Sequence, residues 1–313
     1  MTTRVGIIGS GLIGRAWAIV FARGGCEVRL ADASPAEATK ALDIIRSSLG
    51  DLEGAGLLKE GAGAILARLS VAEDMAEAVA GADYVQENLP ERLDLKRAAF
   101  AGLDRLAPEG AVIASSTSAI PGSAFTEGLA GRGRCLVAHP VNPPHLIPLV
   151  ELCRTPWTSD DAVARTRALM EQVGQVPVTV EREIEGFVLN RLQGALLNEA
   201  LRLVAHGYVS PEDLDRCVRD GLGLRWSFMG PFETIDLNAP EGVADYAARY
   251  GGFYDRVEAE PLPPAGWTHP VVARIHAERR KALPAEGLPA RQAWRDRRLM
   301  ALLAHKIAAS SGS

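Results

Sequence analysis

Cysteine, aromatic side chains and positive charge are all scarce in this chain, and each shortage removes a class of protein. The 313 residues hold four cysteines, Cys26, Cys135, Cys153 and Cys217, with no C-x-x-C pair and no spacing that suits a metal. A disulfide-built fold and a structural zinc site are therefore excluded, and buried reduced thiols are expected. Lys and Arg number 34 against 39 Asp and Glu, for a formal net charge of −5. A nucleic-acid partner needs a basic domain or stripe, so none is expected. The one arginine-rich stretch, Arg291 to Arg298, is interleaved with Trp294 and Asp296 and reads as the solvated face of a helix. No apolar run approaches the ~20 residues of a membrane span. The first residues lead directly into a strand rather than through a leader, so a cytoplasmic protein with no membrane partner is expected.

What the chain does have is aliphatic bulk and glycine. It is 47% hydrophobic but only 5% aromatic, with 31 glycines, enough material for two domains with real cores. Val5 to Ile8 is a short apolar run ending in glycine. Leu12 to Arg23 has helical character, and Glu27 to Ala31 returns to strand, which makes a βαβ unit. Ser34-Pro35 opens a long amphipathic helix predicted over Pro35 to Lys59. Further strands are expected at Leu69–Ala72, Tyr84–Gln86, Ala111–Ser115, Cys135–Ala138 and Val176–Val180. Helices are expected between several of them: Met75–Ala80, Leu93–Leu106 and Asp160–Val173. From Phe187 onward only helices and loops are expected, beginning with a long apolar helix from Phe187 to His206. The implied architecture is α/β: a Rossmann-type doubly wound sheet over residues 1–184, followed by an all-α C-terminal domain over 185–313.

Gly9-Ser10-Gly11-Leu12-Ile13-Gly14 fits G-x-G-x-x-G, and its position after a strand and at the start of a helix gives the match its weight. Gly9 allows the tight turn, Gly11 lets backbone approach a pyrophosphate, and Gly14 lets helix and strand pack closely. The N–H groups from Leu12 and Ile13 onward face the phosphates with the positive end of the helix dipole. Asp32 stands 18 residues after Gly14 at the end of the second strand, where an acid accepts hydrogen bonds from the adenosine ribose. It would repel a 2′-phosphate, so NAD is expected rather than NADP.

The remaining informative strings are GIIGSGLIGRAWA, PERLDLKRAAF, AHPVNPPHLIPLVEL, EGFVLNRLQ, VSPEDLD and GLGLRWSFMGPFET. Together they closely resemble the 3-hydroxyacyl-CoA dehydrogenase superfamily, and within it the L-gulonate 3-dehydrogenase (lambda-crystallin) branch. The resemblance covers nearly the whole chain. It implies NAD-dependent oxidation of the 3-hydroxyl of a small 3-hydroxy acid, and a homodimer. By the same resemblance His139 is the general base and Glu151 its partner, with Ser118 and Asn190 at the reacting oxygen. Glu91, Lys96 and Ser116 fall on cofactor-binding positions, although many CoA-type members carry asparagine where this chain has Ser116. Arg225, in Gly223-Leu224-Arg225-Trp226, is where the gulonate branch also has arginine, and it is assigned to the substrate carboxylate, in cis or across a dimer.

The chemistry suits these residue types. Alcohol oxidation removes an O–H proton as hydride leaves, and an imidazole can take that proton at neutral pH. A carboxylate behind the ring fixes its tautomer. Blander roles exist for each residue: a core histidine, a glutamate paired to a distant arginine, a serine or asparagine cap, a surface salt bridge at Arg225. His145 is read as a loop residue, and His206, His269, His276 and His305 as surface or structural. Alternative substrates are a 3-hydroxyacyl-CoA or carnitine. An alternative of another class is a non-catalytic, crystallin-like NAD-binding protein. A 6-phosphogluconate-type enzyme is disfavoured because no K-x-x-x-N string opens the long helix.

Overall fold

The structure, a computed structural model, describes residues 2–259, 262–267 and 270–310; His269 lies outside them. The first half alternates strands and helices as β1 (Arg4–Ile8), α1 (Leu12–Arg23), β2 (Glu27–Ala31), α2 (Pro35–Gly54), α3 (Ala62–Leu66), β3 (Leu69–Val71), α4 (Met75–Val79), β4 (Tyr84–Glu87), α5 (Leu93–Leu106) and β5 (Val112–Ser115). After a short helix α6 (Ser123–Thr126) come β6 (Cys135–Pro140), β7 (Leu149–Arg154), α7 (Asp160–Gln172) and β8 (Val176–Val180). Helices follow: α8 (Leu189–Ala205), α9 (Pro211–Arg216), α10 (Gly223–Trp226), α11 (Pro231–Asp236), α12 (Val243–Ala259), α13 (Pro270–Ala282) and α14 (Leu288–Ser310).

The eight strands form one sheet in the order β3-β2-β1-β4-β5-β6-β7-β8. Its first six strands run parallel, and β7 turns back antiparallel to β6. This is the doubly wound arrangement the alternation implies, extended by two strands. Successive residues face opposite sides of the sheet. Val112, Ala114, Leu136, Ala138, Val150 and Leu152 enter one core, and Ile113, Cys135, Val137 and Cys153 the other. Both faces are covered, so these strands read as apolar runs. Three of the four cysteines are buried as expected; Cys217 is exposed.

Three local readings shift. The helix expected to reach Lys59 ends at Gly54, because Gly56 turns the chain with a φ of 69°. The helix expected from Phe187 starts at Leu189, because Gly186 and Phe187 hold φ values of 76° and 52°. Strand β7 is missing from the expected set.

The chain divides into two compact units, residues 1–190 with 291–313, and residues 191–290. Most of the last helix groups with the first unit. Its Met300 is buried in the same core as Leu49 and Leu52 of α2. The second unit has its own small core of Leu201, Val204, Ala265 and Val271. Among the described residues no helix is long and apolar enough to cross a membrane.

Candidate active site

The β6–β7 hairpin creates the central pair. Antiparallel register sets His139 directly opposite Glu151, and both side chains share one face of the sheet. His139 Nδ1 lies 2.8 Å from Glu151 Oε2, with both side chains buried. Glu151 Oε1 accepts from the backbone N–H groups of Val188 at 2.8 Å and Leu189 at 2.9 Å. Burial works to raise the Glu151 carboxyl, but the hydrogen bonds from His139, Leu189 and Val188 outweigh it and hold the group below the usual carboxylate range. Glu151 is therefore ionised at neutral pH. It accepts a hydrogen bond from Nδ1–H, which leaves Nε2 with its lone pair.

The same carboxylate closes the start of α8. Four N–H groups at a helix start lack partners within the helix, and a negative charge there is favoured. Phe187 prepares the geometry. It is the one non-glycine with positive φ among the described residues, and it is fully buried. Its ring packs on the His139 imidazole, with centroids 5.3 Å apart. Asn190 follows, and its Nδ2 donates to the backbone carbonyl of Ser118 at 2.8 Å. The structure thus joins His139, Glu151, Asn190 and Ser118 in one connected cluster.

Ser118 lies in the loop after β5, at the carboxyl edge of the sheet, with its side chain exposed. Glu91 Oε1 accepts from the N–H groups of Ser118, Ala119 and Ile120 at 3.1, 3.0 and 3.2 Å, and from the Thr117 hydroxyl. Burial opposes ionisation of Glu91, but these bonds and the charge of Lys96 prevail and lower its carboxyl. The Lys96 ammonium is enclosed, 3.1 Å from Glu87 Oε2 and 3.8 Å from Glu91 Oε2. Glu91 thus binds the loop, and Lys96 pairs with the buried Glu87.

Ser116 is similarly occupied. Its hydroxyl accepts from Trp17 Nε1 at 3.0 Å and Gln86 Nε2 at 2.7 Å, and donates to Asn88 Oδ1 at 2.7 Å. A hydroxyl has one donor and two acceptor positions, and all three are filled. A bond from this hydroxyl to nicotinamide would first have to break one of them.

The glycine motif is built as its spacing implies. A Cβ on Gly14 would fall 1.9 Å from the Gly9 carbonyl oxygen, and one on Gly9 2.9 Å from that of Asn88. Gly11 is different: a Cβ there meets nothing within 4 Å. The fold leaves room at Gly11, at the N-terminus of α1, where no side chain caps the helix and no acid sits in the first turn. That uncapped start fits a pyrophosphate. Asp32 Oδ2 accepts from Ser10 N at 2.7 Å and Ser10 Oγ at 2.8 Å. Partial burial works against the Asp32 charge, but Ser10, Ser34 and Ala33 outweigh it and lower the carboxyl. Leu12 is 57% exposed beside this opening.

Arg225, in α10 of the second unit, is exposed, and among the described residues no carboxylate pairs with it. His145 is in the β6–β7 loop. Burial, with the Arg23 charge nearby, lowers its imidazole to about 4. Among the described residues no His, Cys, Asp and Glu group could hold a metal. Residue patterns did not reveal Asn88, Thr117 and Phe187. The polar Gln86-Glu87-Asn88 run at the end of a buried strand was the available signal.

Comparison with known proteins identifies the family. Residues 4–184 match the family model described as 3-hydroxyacyl-CoA dehydrogenase, NAD binding domain, and 186–275 the C-terminal domain of the same family. The chain is 48% identical to a lambda-crystallin homolog of Bos taurus, over 97% of this chain and 96% of that protein. It is 43% identical to an L-carnitine dehydrogenase of Streptomyces griseus subsp. griseus, over 76% and 70%. A solved structure, the NAD⁺-dependent dismutase FHMPC 5-dehydrogenase, superposes with a TM-score of 0.82 at 31% identity, covering 96% of this chain and 97% of that one.

Proposed function

This chain belongs to the 3-hydroxyacyl-CoA dehydrogenase family and is an NAD-dependent dehydrogenase acting on a 3-hydroxy group, and we propose that its substrate is a small free 3-hydroxy acid of the L-gulonate kind. The observation that carries the chemistry is the buried 2.8 Å contact between His139 Nδ1 and an ionised Glu151. With Nδ1–H committed to the carboxylate, Nε2 of His139 takes the substrate hydroxyl proton. The imidazolium that forms is stabilised by the charge of Glu151, which keeps its own proton count unchanged. The Ser118 hydroxyl and the second amide hydrogen of Asn190 hold the reacting oxygen beside the ring. NAD⁺ would supply the hydride acceptor when bound; the cradle from Gly9 to Gly14 would hold its pyrophosphate and Asp32 its adenosine ribose. The product is a 3-keto acid.

The free-acid reading draws support from the likeness to a lambda-crystallin homolog along nearly the whole chain, and from an L-carnitine dehydrogenase, whose named substrate is itself a 3-hydroxy acid. We assign the substrate carboxylate to Arg225, an exposed guanidinium whose planar fork matches a carboxylate. The second unit exposes Leu224, Phe228, Phe232 and Leu237, each more than 60% accessible, and this supports a homodimer. The test is NADH production from L-gulonate, carnitine and 3-hydroxybutyryl-CoA side by side. Turnover of a free acid, lost in Arg225→Gln through a raised KM, is expected. Turnover of the CoA ester alone removes the free-acid reading. NADH binding without oxidation of any hydroxy acid points instead to a crystallin-like structural role.

A further inference from the structure

We propose that Gln86 is a positioning residue for Ser116: together with Trp17 it fills both lone pairs of the Ser116 hydroxyl, so that this group meets the nicotinamide end of the cofactor only as a donor. The proposal rests on the assignment of Ser116 to the cofactor. Gln86 lies on β4, fully buried in a sheet of apolar strands. A polar side chain is costly there unless it is bonded. Its Oε1 accepts from the Tyr84 hydroxyl at 2.7 Å, and its Nε2 donates to Ser116 Oγ at 2.7 Å and to the Ala138 carbonyl at 3.3 Å.

Backbone carbonyls decide which way each proton in this network points. A flipped Gln86 amide would set its oxygen against the Ala138 carbonyl, so Nε2 faces Ser116. Tyr84 is then the donor to Oε1, and burial pushes its phenol well above the usual range, so it keeps its proton. Asn88 is held in the same way. Its Nδ2 donates to the Gln86 carbonyl at 2.9 Å and the Ile8 carbonyl at 3.3 Å, which turns Oδ1 toward Ser116. An indole N–H only donates, so Trp17 is the second donor to Ser116 Oγ, at 3.0 Å. The hydroxyl proton goes to Asn88 Oδ1 at 2.7 Å.

These three partners differ in their access to water. Gln86 and Trp17 are 0% exposed, whereas Asn88 is half-buried. The bond to Asn88 is therefore the one that an incoming acceptor displaces, and Asn88 Oδ1 then turns to water. The serine oxygen stays where its two buried donors hold it, and only its proton moves. A carboxamide oxygen suits that proton; a carboxamide NH₂ group finds no free lone pair on Ser116.

The experiment compares Gln86→Met, Ser116→Ala and the double variant Gln86→Met/Ser116→Ala. Methionine has about the length of glutamine but cannot donate. Affinities for NADH and for ADP-ribose, which lacks the nicotinamide ring, are measured by calorimetric titration. The Trp17 indole N–H, identified by its loss in Trp17→Phe, is followed by NMR in the ligand-free protein. We expect Gln86→Met to weaken NADH binding roughly three- to tenfold, the scale of one hydrogen bond, with ADP-ribose affinity within about twofold. Ser116→Ala should show the same split. The double variant should bind NADH no more weakly than Ser116→Ala, because Gln86 acts through that hydroxyl. The indole signal of Trp17 should shift in both single variants before any ligand is added. Should Gln86→Met not fold, Tyr84→Phe/Gln86→Met removes both partners of the buried bond and takes its place. Unchanged NADH affinity in Gln86→Met, equal weakening of NADH and ADP-ribose, or losses that multiply in the double variant overturn the inference. Unchanged NADH affinity in Ser116→Ala would instead overturn the assignment of Ser116 on which it stands.

Discussion

Replacing Glu151 with glutamine should cost this enzyme nearly all its turnover while leaving its shape almost unchanged. Glu151 serves three donors: Nδ1–H of His139 and the N–H groups of Val188 and Leu189. Glutamine is isosteric but offers one acceptor oxygen and an amide that only donates. If its oxygen faces the two helix N–H groups, the amide faces Nδ1, which must then accept. The imidazole proton moves to Nε2 and the base is lost. If the oxygen faces Nδ1 instead, the amide abuts two further donors and the start of α8 loses its anion. The first arrangement satisfies more groups and should dominate. A wrong tautomer at a comparable carboxylate–histidine pair lowers kcat by about 10⁴. We therefore expect a fall of roughly 10³ to 10⁴, or about 4–5.5 kcal/mol of barrier. Loss of the charged helix partner should add a destabilisation of about 1–2 kcal/mol. The assay is steady-state NADH formation with saturating NAD⁺, alongside NADH affinity and chemical denaturation. A variant that keeps a tenth of wild-type kcat would refute the tautomer argument.

Other substitutions test other parts of the same picture. Gly11→Ala should leave the unfolding midpoint unchanged, since its Cβ meets no protein atom, yet weaken NAD binding by roughly tenfold, or about 1.4 kcal/mol; unchanged affinity in a titration would show that the pyrophosphate lies elsewhere. Phe187→Gly should be more stable than Phe187→Ala by about 1 kcal/mol, the reverse of the usual order, because residue 187 holds a φ of 52°; denaturation of the two variants decides it. Asp32, Glu91 and Glu151 all have carboxyls lowered on folding, so their stabilisation is complete above the ordinary values of 3.8 and 4.5 and is lost as pH falls through the folded ones. His145, lowered from 6.5 to about 4 on folding, withdraws stability earlier, as pH falls below 6.5. Stability should therefore begin to decline near pH 6.5 and fall further below about pH 4.5, that second part less steep in Glu151→Gln, as denaturation across a pH series will show.

Local patterns made the cofactor end legible. Gly9, Gly11, Gly14 and Asp32 lie within one βαβ unit, so a single stretch of sequence contains both the motif and its structural context. Ser116 shows why other parts were not. Its partners Trp17, Gln86 and Asn88 are 99, 30 and 28 residues away, so nothing near Ser116 announces that its hydroxyl is filled. The last helix is similar: its amphipathic pattern was readable, but its return to the core beside α2 depends on a contact between chain ends. The onset of α8 was misplaced by two residues for a different reason. Phe187 is a poor candidate for a left-handed φ, and tertiary demands override that preference: the turn delivers two N–H groups to Glu151 and a ring to His139.

The reversal at β7 explains how an extended parallel sheet acquires its buried His139–Glu151 pair. Gly9, Asp32, Asn88 and Ser116 all follow the carboxyl ends of parallel strands, the edge where such sheets bind ligands. His139 sits near the same end of β6. A strand running the other way brings its beginning to that edge, and Glu151, third in β7, arrives opposite His139. Register then decides everything, because a slip of one residue would send Glu151 to the other face. The pair itself is a weak guarantor of that register, since a buried charge contact recovers little beyond its own desolvation. Val150 and Leu152 are fully buried on the opposite face, and each contributes about 1.5–3 kcal/mol by leaving water. Apolar alternation on either side of Glu151 therefore fixes where the carboxylate stands, and the His139–Glu151 contact inherits its geometry from the packing of its neighbours.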